Sequence, residues 1–228
     1  MEEKLITSPV IALLAIAILL LGFVQVQIAG VSGMLTGSHA GKAGTSDLSK
    51  VDVTQLQNTA QTLAAVFPVE SFASADDAMA TMFPTGVPEY GEALGVSFDD
   101  PVTALSILSR MQRPLSQEVK ASNPEAWQRF VDLASQPRGV SCEYCCGVGP
   151  IGADQNGNSR CGCQHNPALL TVAMWLAANT DYTDAEILRE VMLWKTLFFP
   201  KNMIEMAMNI AGGDASALEN LPGMVGGC

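Results

Sequence analysis

Residues 137–166 constrain this chain more than any other stretch. They carry Gly139, Gly147, Gly149, Gly152, Gly157 and Gly162, with Pro137 and Pro150, so the segment must be a loop. Five of the chain's six cysteines and one of its two histidines fall in the same stretch: Cys142, Cys145, Cys146, Cys161, Cys163 and His165. They are ordered C-x2-C-C, a 14-residue gap, then C-x-C-x-H. The remaining cysteine is Cys228.

On either side of the loop, apolar residues recur at helical spacing and strand-like alternation is almost absent. Leu56, Leu63, Val66 and Phe67 share one face, and Asp76-Asp77 open a short segment that ends before Pro84. Asp99-Asp100-Pro101 reads as a helix start, with acidic residues at the first turn and proline at the first helical position. Val102, Leu105, Leu108 and Met111 form its apolar stripe up to Pro114. Ser122-Asn123-Pro124 repeats the start signal before Trp127, Phe130, Val131 and Leu133. After the loop, Asn166-Pro167 reads as a cap for a helix bearing Leu169, Leu170, Met174 and Leu176. Thr183 with Glu186 is a capping-box pattern ahead of Ile187, Leu188, Val191, Trp194, Leu197 and Phe198, and Pro200 ends or kinks that helix. The expected fold is all-α: a helical domain over 51–228 with a Cys/Gly-rich loop inserted at 141–166.

The N-terminal part is different in kind. After Glu2, Glu3 and Lys4 no charged residue occurs before Lys42, and Val10 to Gly30 is an apolar run of the ~20 residues that cross a bilayer. Residues 1–32 are therefore expected to be a single transmembrane anchor helix, and 33–50, rich in Gly, Ser and Thr, a flexible linker holding the solitary His39. A cleaved signal peptide is the competing reading, disfavoured because Glu2 and Glu3 offset Lys4. Lys4 on one side and Lys42 and Lys50 on the other leave orientation undecided by charge. The simplest signal-anchor topology puts the domain outside the cytoplasm.

The formal net charge of -11 and only 12 Lys and Arg argue against a nucleic-acid partner, since phosphate binding needs clustered cations. No Ser-His-Asp set, phosphate loop or catalytic carboxylate pair is present, so an enzyme is not expected. Asp154-Gln155-Asn156-Gly157-Asn158 is only superficially a calcium loop: Ser159 stands where the turn glycine belongs, and His165 where a Glu should close the site.

Chemistry concentrates in the loop. Thiolates and imidazole are the ligands of soft and borderline metals, so Cys142, Cys145, Cys146, Cys161, Cys163 and His165 are the candidate metal ligands. C-x2-C suits a clamp that aims two sulfurs at one ion, and C-x-C-x-H supplies a second half. Six candidates exceed one tetrahedral site, and adjacent Cys145 and Cys146 do not readily share an ion. The set therefore suits zinc with spare thiols, several bridged Cu(I) ions or an iron–sulfur cluster, with zinc or copper ahead. Met192, Met203, Met206 and Met208 would be thioether donors to copper, although at this spacing methionines ordinarily fill a core. Disulfide staples are the competing structural reading, with Cys228 as a sixth partner. The Cys142/Cys145 spacing also fits a thiol–disulfide oxidoreductase, but the usual βαβ context is missing.

Glu143-Tyr144-Cys145-Cys146-Gly147 and Cys161-Gly162-Cys163-Gln164-His165, followed by a helix and Trp194-Lys195, resemble exported proteins with a PCYCGC motif. The resemblance covers about the last third of the chain. It implies that Cys161, Cys163 and His165 act as one unit in an extracytoplasmic domain, and it implies no reaction. The expectation is a membrane-anchored protein that binds or passes a soft metal to or from a donor or acceptor protein. The alternatives are a structural or interaction subunit of a membrane complex with a stapled loop and, third, a redox protein.

Overall fold

The computed structural model describes residues 47–213 together with Ser216 and Val225. The expected anchor at 1–32, most of the linker, His39 and Cys228 lie outside the described residues. No helix among the described residues is long and apolar enough to cross a membrane.

The domain is helical, as its periodicity predicts, and contains no strand among the described residues. Among the described residues eight α-helices follow in order: α1 (Thr59–Val66), α2 (Ala75–Met82), α3 (Gly91–Leu94), α4 (Pro101–Ser122), α5 (Pro124–Ala134), α6 (His165–Asn179), α7 (Asp184–Phe198) and α8 (Pro200–Ala211). Their starts are written in the sequence. Asn58, Ser74, Asp100, Asn123 and Thr183 each accept a backbone N–H with the side chain, a cap worth about 1 kcal/mol apiece. Asn123 ends α4 and caps α5 at once. Thr183 and Glu186 complete the reciprocal capping box at α7.

Two expectations at α4 need correction. The helix does not stop at Pro114 but runs through it to Ser122. Pro114 sits on the solvent face, where water can take up the carbonyl its missing N–H leaves behind, while Leu115 and Val119 carry the buried stripe onward. Val102 is not on that stripe; it is 63% exposed.

α6 is the centre of the domain. It is apolar all round, with Leu169, Leu170, Val172, Ala173, Met174 and Leu176 fully buried, because α4, α5 and α7 pack about it. Thr171 satisfies its hydroxyl on the Leu108 carbonyl of α4 (2.9 Å). α8 packs beside α7 and covers α1 and α2. Arg129 of α5 and Asp184 at the start of α7 form an ion pair (2.6 Å). This arrangement points the N-terminus of α6 into the loop that joins it to α5.

That loop is folded tightly onto the helices. The N–H groups of Gly152 and Ala153 both bond the Ala134 carbonyl at the end of α5 (3.1 and 3.0 Å). Gly139 N–H meets the Pro150 carbonyl (2.9 Å), and Ala153 and Ser159 form an isolated antiparallel bridge. Asp154 spends its carboxylate on the N–H groups of Asn156 and Asn158 (2.8 and 2.9 Å), which makes the stretch a turn and not a cation loop. Gly157, at the tip with φ +78°, lies so close on the Trp127 ring that a side chain there would clash.

Candidate metal centre

The tight loop gathers its sulfurs at the start of α6. Cys142 and Cys163 sulfurs lie 3.5 Å apart, Cys161 and Cys163 sulfurs 3.3 Å apart, and Cys145 Sγ is 3.9 Å from His165 Nδ1. Cys146 is joined to Cys161 by a disulfide, which closes the 14-residue gap. All six expected ligands thus meet in one place. Five of them form two groups, each with its ligand atoms within 4.8 Å of one another: Cys142, Cys161 and Cys163, and Cys145, Cys163 and His165. Groups of this kind hold a metal ion or form disulfides, and one pair here is in a disulfide.

The division differs from the expected one. C-x2-C was expected to clamp a single ion, yet Cys142 and Cys145 fall in different groups. The cause is Glu143, the only non-glycine among the described residues at positive φ (+48°). A left-handed residue between the two cysteines turns the chain so that they face different neighbours. Adjacent Cys145 and Cys146 diverge as well, the first toward His165 and the second into the disulfide.

Glu143 is held in that conformation by charge and hydrogen bonding. Its carboxylate pairs with the Lys195 ammonium and accepts the Thr59 hydroxyl (2.6 Å). Lys195 is completely buried in α7 and also donates to the Gly139 carbonyl (3.1 Å). Burial pulls the lysine's pKa down, and the Glu143 carboxylate and the Cys142 sulfur oppose that pull. A buried cation beside the loop thus offsets negative charge where thiolates would gather.

His165 is preset as a ligand. Its Nε2 lies 2.5 Å from the Val225 carbonyl, which can only accept, so Nε2 carries the proton and the Nδ1 lone pair faces Cys145. Burial lowers the imidazole's pKa and the Val225 contact opposes this, leaving the neutral, ligating form favoured. The ring stacks at a tilt on Phe199 (4.7 Å between centroids), and Tyr144 packs on the same phenylalanine (5.0 Å).

Asn166 ties the two cysteine segments together. It is fully buried, and its Nδ2 donates to the Gly152 carbonyl (2.8 Å) and Ser159 Oγ (2.7 Å) while Oδ1 receives the Cys142 N–H (3.3 Å). It was expected to cap α6, but the helix begins at His165 with Gln164 as the cap residue. Loop backbone groups that would otherwise be buried without partners claim the amide instead.

Sequence reasoning missed Lys195, Glu143, Asn166, Ser159 and Thr59 as parts of the site. Only Lys195 left a signal: it stands four residues after Val191 and seven after Leu188, on the buried stripe of α7, where a charge requires a partner. Of the methionines weighed as thioether donors, Met192, Met203 and Met208 are core residues. The Met203 sulfur accepts the Tyr144 hydroxyl (3.4 Å).

Exposure differs across the cluster. Cys142, Cys161 and His165 are buried, Cys145 and Cys163 are half-buried, and Cys146 is exposed. Comparison with family models, with curated proteins and with solved structures returned no match to this chain.

Proposed function

We propose that this protein binds a soft metal ion, copper(I) or zinc, and passes it on by ligand exchange. The observation that carries the reading is His165: a buried, neutral imidazole with Nδ1 turned toward Cys145 and, through its group, Cys163. A histidine that served only packing would not need its Nδ1 aimed at sulfur. Half-buried Cys145 and Cys163 are the ligands an incoming thiolate of a partner reaches first, so capture and release proceed through them while Cys142 and His165 stay fixed. The apolar run at Val10–Gly30 and the resemblance to exported PCYCGC-motif proteins support a membrane-anchored, extracytoplasmic setting.

The test is metal analysis of full-length protein prepared without chelator, followed by anaerobic titration with Cu(I) and with Zn(II). Cys163→Ser and His165→Ala are expected to lower affinity at least tenfold, and Cys228→Ser to leave it unchanged. A second reading rests on the Cys146–Cys161 disulfide, which makes the loop a stapled structural element. Uptake of neither metal, with no effect of His165→Ala, would establish that reading instead.

A further inference from the structure

Cys163 belongs to both ligand groups, and Cys161, the sulfur that completes one of them, is held in the disulfide. We infer that the reduced chain holds two Cu(I) ions sharing the Cys163 thiolate, and that the Cys146–Cys161 disulfide decides whether the second ion has a seat. The inference rests on the metal-binding reading and deepens it.

Among the described residues, five ligand atoms serve the two groups, one of them common, which gives three per ion. Three soft ligands suit Cu(I); two tetrahedral zinc ions would need more donors than the groups contain. Metal–sulfur bonds of about 2.3 Å require ligand atoms roughly 3.7–4 Å apart. The observed separations of 3.3, 3.5 and 3.9 Å need only small adjustment to admit an ion. A thiolate sulfur has enough lone pairs to bridge, and Cys163 is the residue both groups surround.

The disulfide controls one group and not the other. While Cys161 is bonded to Cys146 it is a neutral sulfur without a thiolate charge, so its group loses one of the three thiolates found among the described residues. A dithiol reductant restores it. One reductant thiolate attacks the exposed Cys146 sulfur, and the S–S electron pair leaves on Cys161 as thiolate. The second reductant thiol then closes on the mixed disulfide and releases Cys146, so that two electrons and two protons have moved and the reductant departs as a cyclic disulfide. Cys161 keeps its place after the bond is cut. Its backbone is held from both sides by Ser159, whose hydroxyl donates to the Cys161 carbonyl (2.7 Å) and accepts its N–H (3.4 Å). Ser159 is in turn fixed by buried Asn166.

The experiment is Cu(I) titration of the full-length chain against a chromophoric Cu(I) chelator, anaerobically, with native mass spectrometry for stoichiometry. One sample is reduced with a phosphine and desalted; the other is left unreduced. Two equivalents are expected in the reduced chain and no more than one in the unreduced chain. Reduced Cys161→Ser should hold one. Cys146→Ser, which frees Cys161 without any reductant, should hold two in the unreduced preparation. X-ray absorption of the two-equivalent state should show a short copper–copper path, which a bridging thiolate imposes. Equal stoichiometry in both redox states, or two equivalents without that path, overturns the shared site while leaving single-ion binding intact. Uptake of neither Cu(I) nor Zn(II) in either state overturns the functional reading itself.

Discussion

The residue that shapes the cluster is not one of its ligands. Glu143 accepts a left-handed backbone that a non-glycine residue ordinarily avoids, and Lys195 and Thr59 hold it there. Lysine is rarely buried, and this one is wholly so, because a carboxylate and a carbonyl replace its water. Cutting the pair from one side leaves the other charge in a poor environment. Lys195→Met is therefore expected to cost about 3–5 kcal/mol, measured by urea unfolding. Adding Glu143→Gln to that variant should recover part of the loss, since the stranded charge is then gone. If Lys195→Met unfolds at the wild-type urea concentration, the pair does not hold the loop.

At the scale of elements, the 30 residues between α5 and α6 behave as a built piece of structure. Their knot is Gly152: its N–H bonds Ala134, and its carbonyl receives both the Arg160 N–H (2.9 Å) and the Asn166 amide. A β-carbon at Gly152 would overlap the Val140 carbonyl and press on Leu170. Gly152→Ala should thus destabilise the protein by roughly 3 kcal/mol or more, as steric insertions into packed backbone do. Gly162→Ala is the control: a β-carbon there meets nothing within 4 Å, and the expected change is within about 0.5 kcal/mol. Thermal unfolding of the two variants beside wild type decides between a built loop and a slack one.

For the whole molecule, the disulfide links stability to redox state, and the proposed metal site would link it to metal as well. The Cys146–Cys161 disulfide closes a separation of 15 residues, for which loop-closure entropy gives about 3 kcal/mol. That is a sizeable part of a domain's typical stability of ~5–15 kcal/mol. Reduction without metal should lower the urea midpoint accordingly. Adding Cu(I) or Zn(II) to the reduced chain should raise it again, because an ion that binds only the folded cluster stabilises it by mass action. A reduced midpoint that metal leaves unmoved would argue for the disulfide as a staple alone.

The sequence by itself determined the helical class, most of the helix starts and the clustering of the cysteines with His165. Each of these depends on local chemistry: a cap binds an N–H three residues on, apolar spacing selects a buried stripe, and glycine and proline exclude regular structure. Cys142, Cys145, Cys146, Cys161, Cys163 and His165 could be named because clustered thiols and imidazole have few other uses. Only the tertiary structure decided how those six divide. The left-handed turn at Glu143 depends on a lysine 52 residues away and a threonine 84 residues away. The seam between the two cysteine segments depends on Asn166 reaching back to Gly152 and Cys142. The continuation of α4 past Pro114 likewise depends on the helices it packs against. Contacts between residues distant in sequence carry no local signature, so the clustering of these six residues was legible and the partition among them was not.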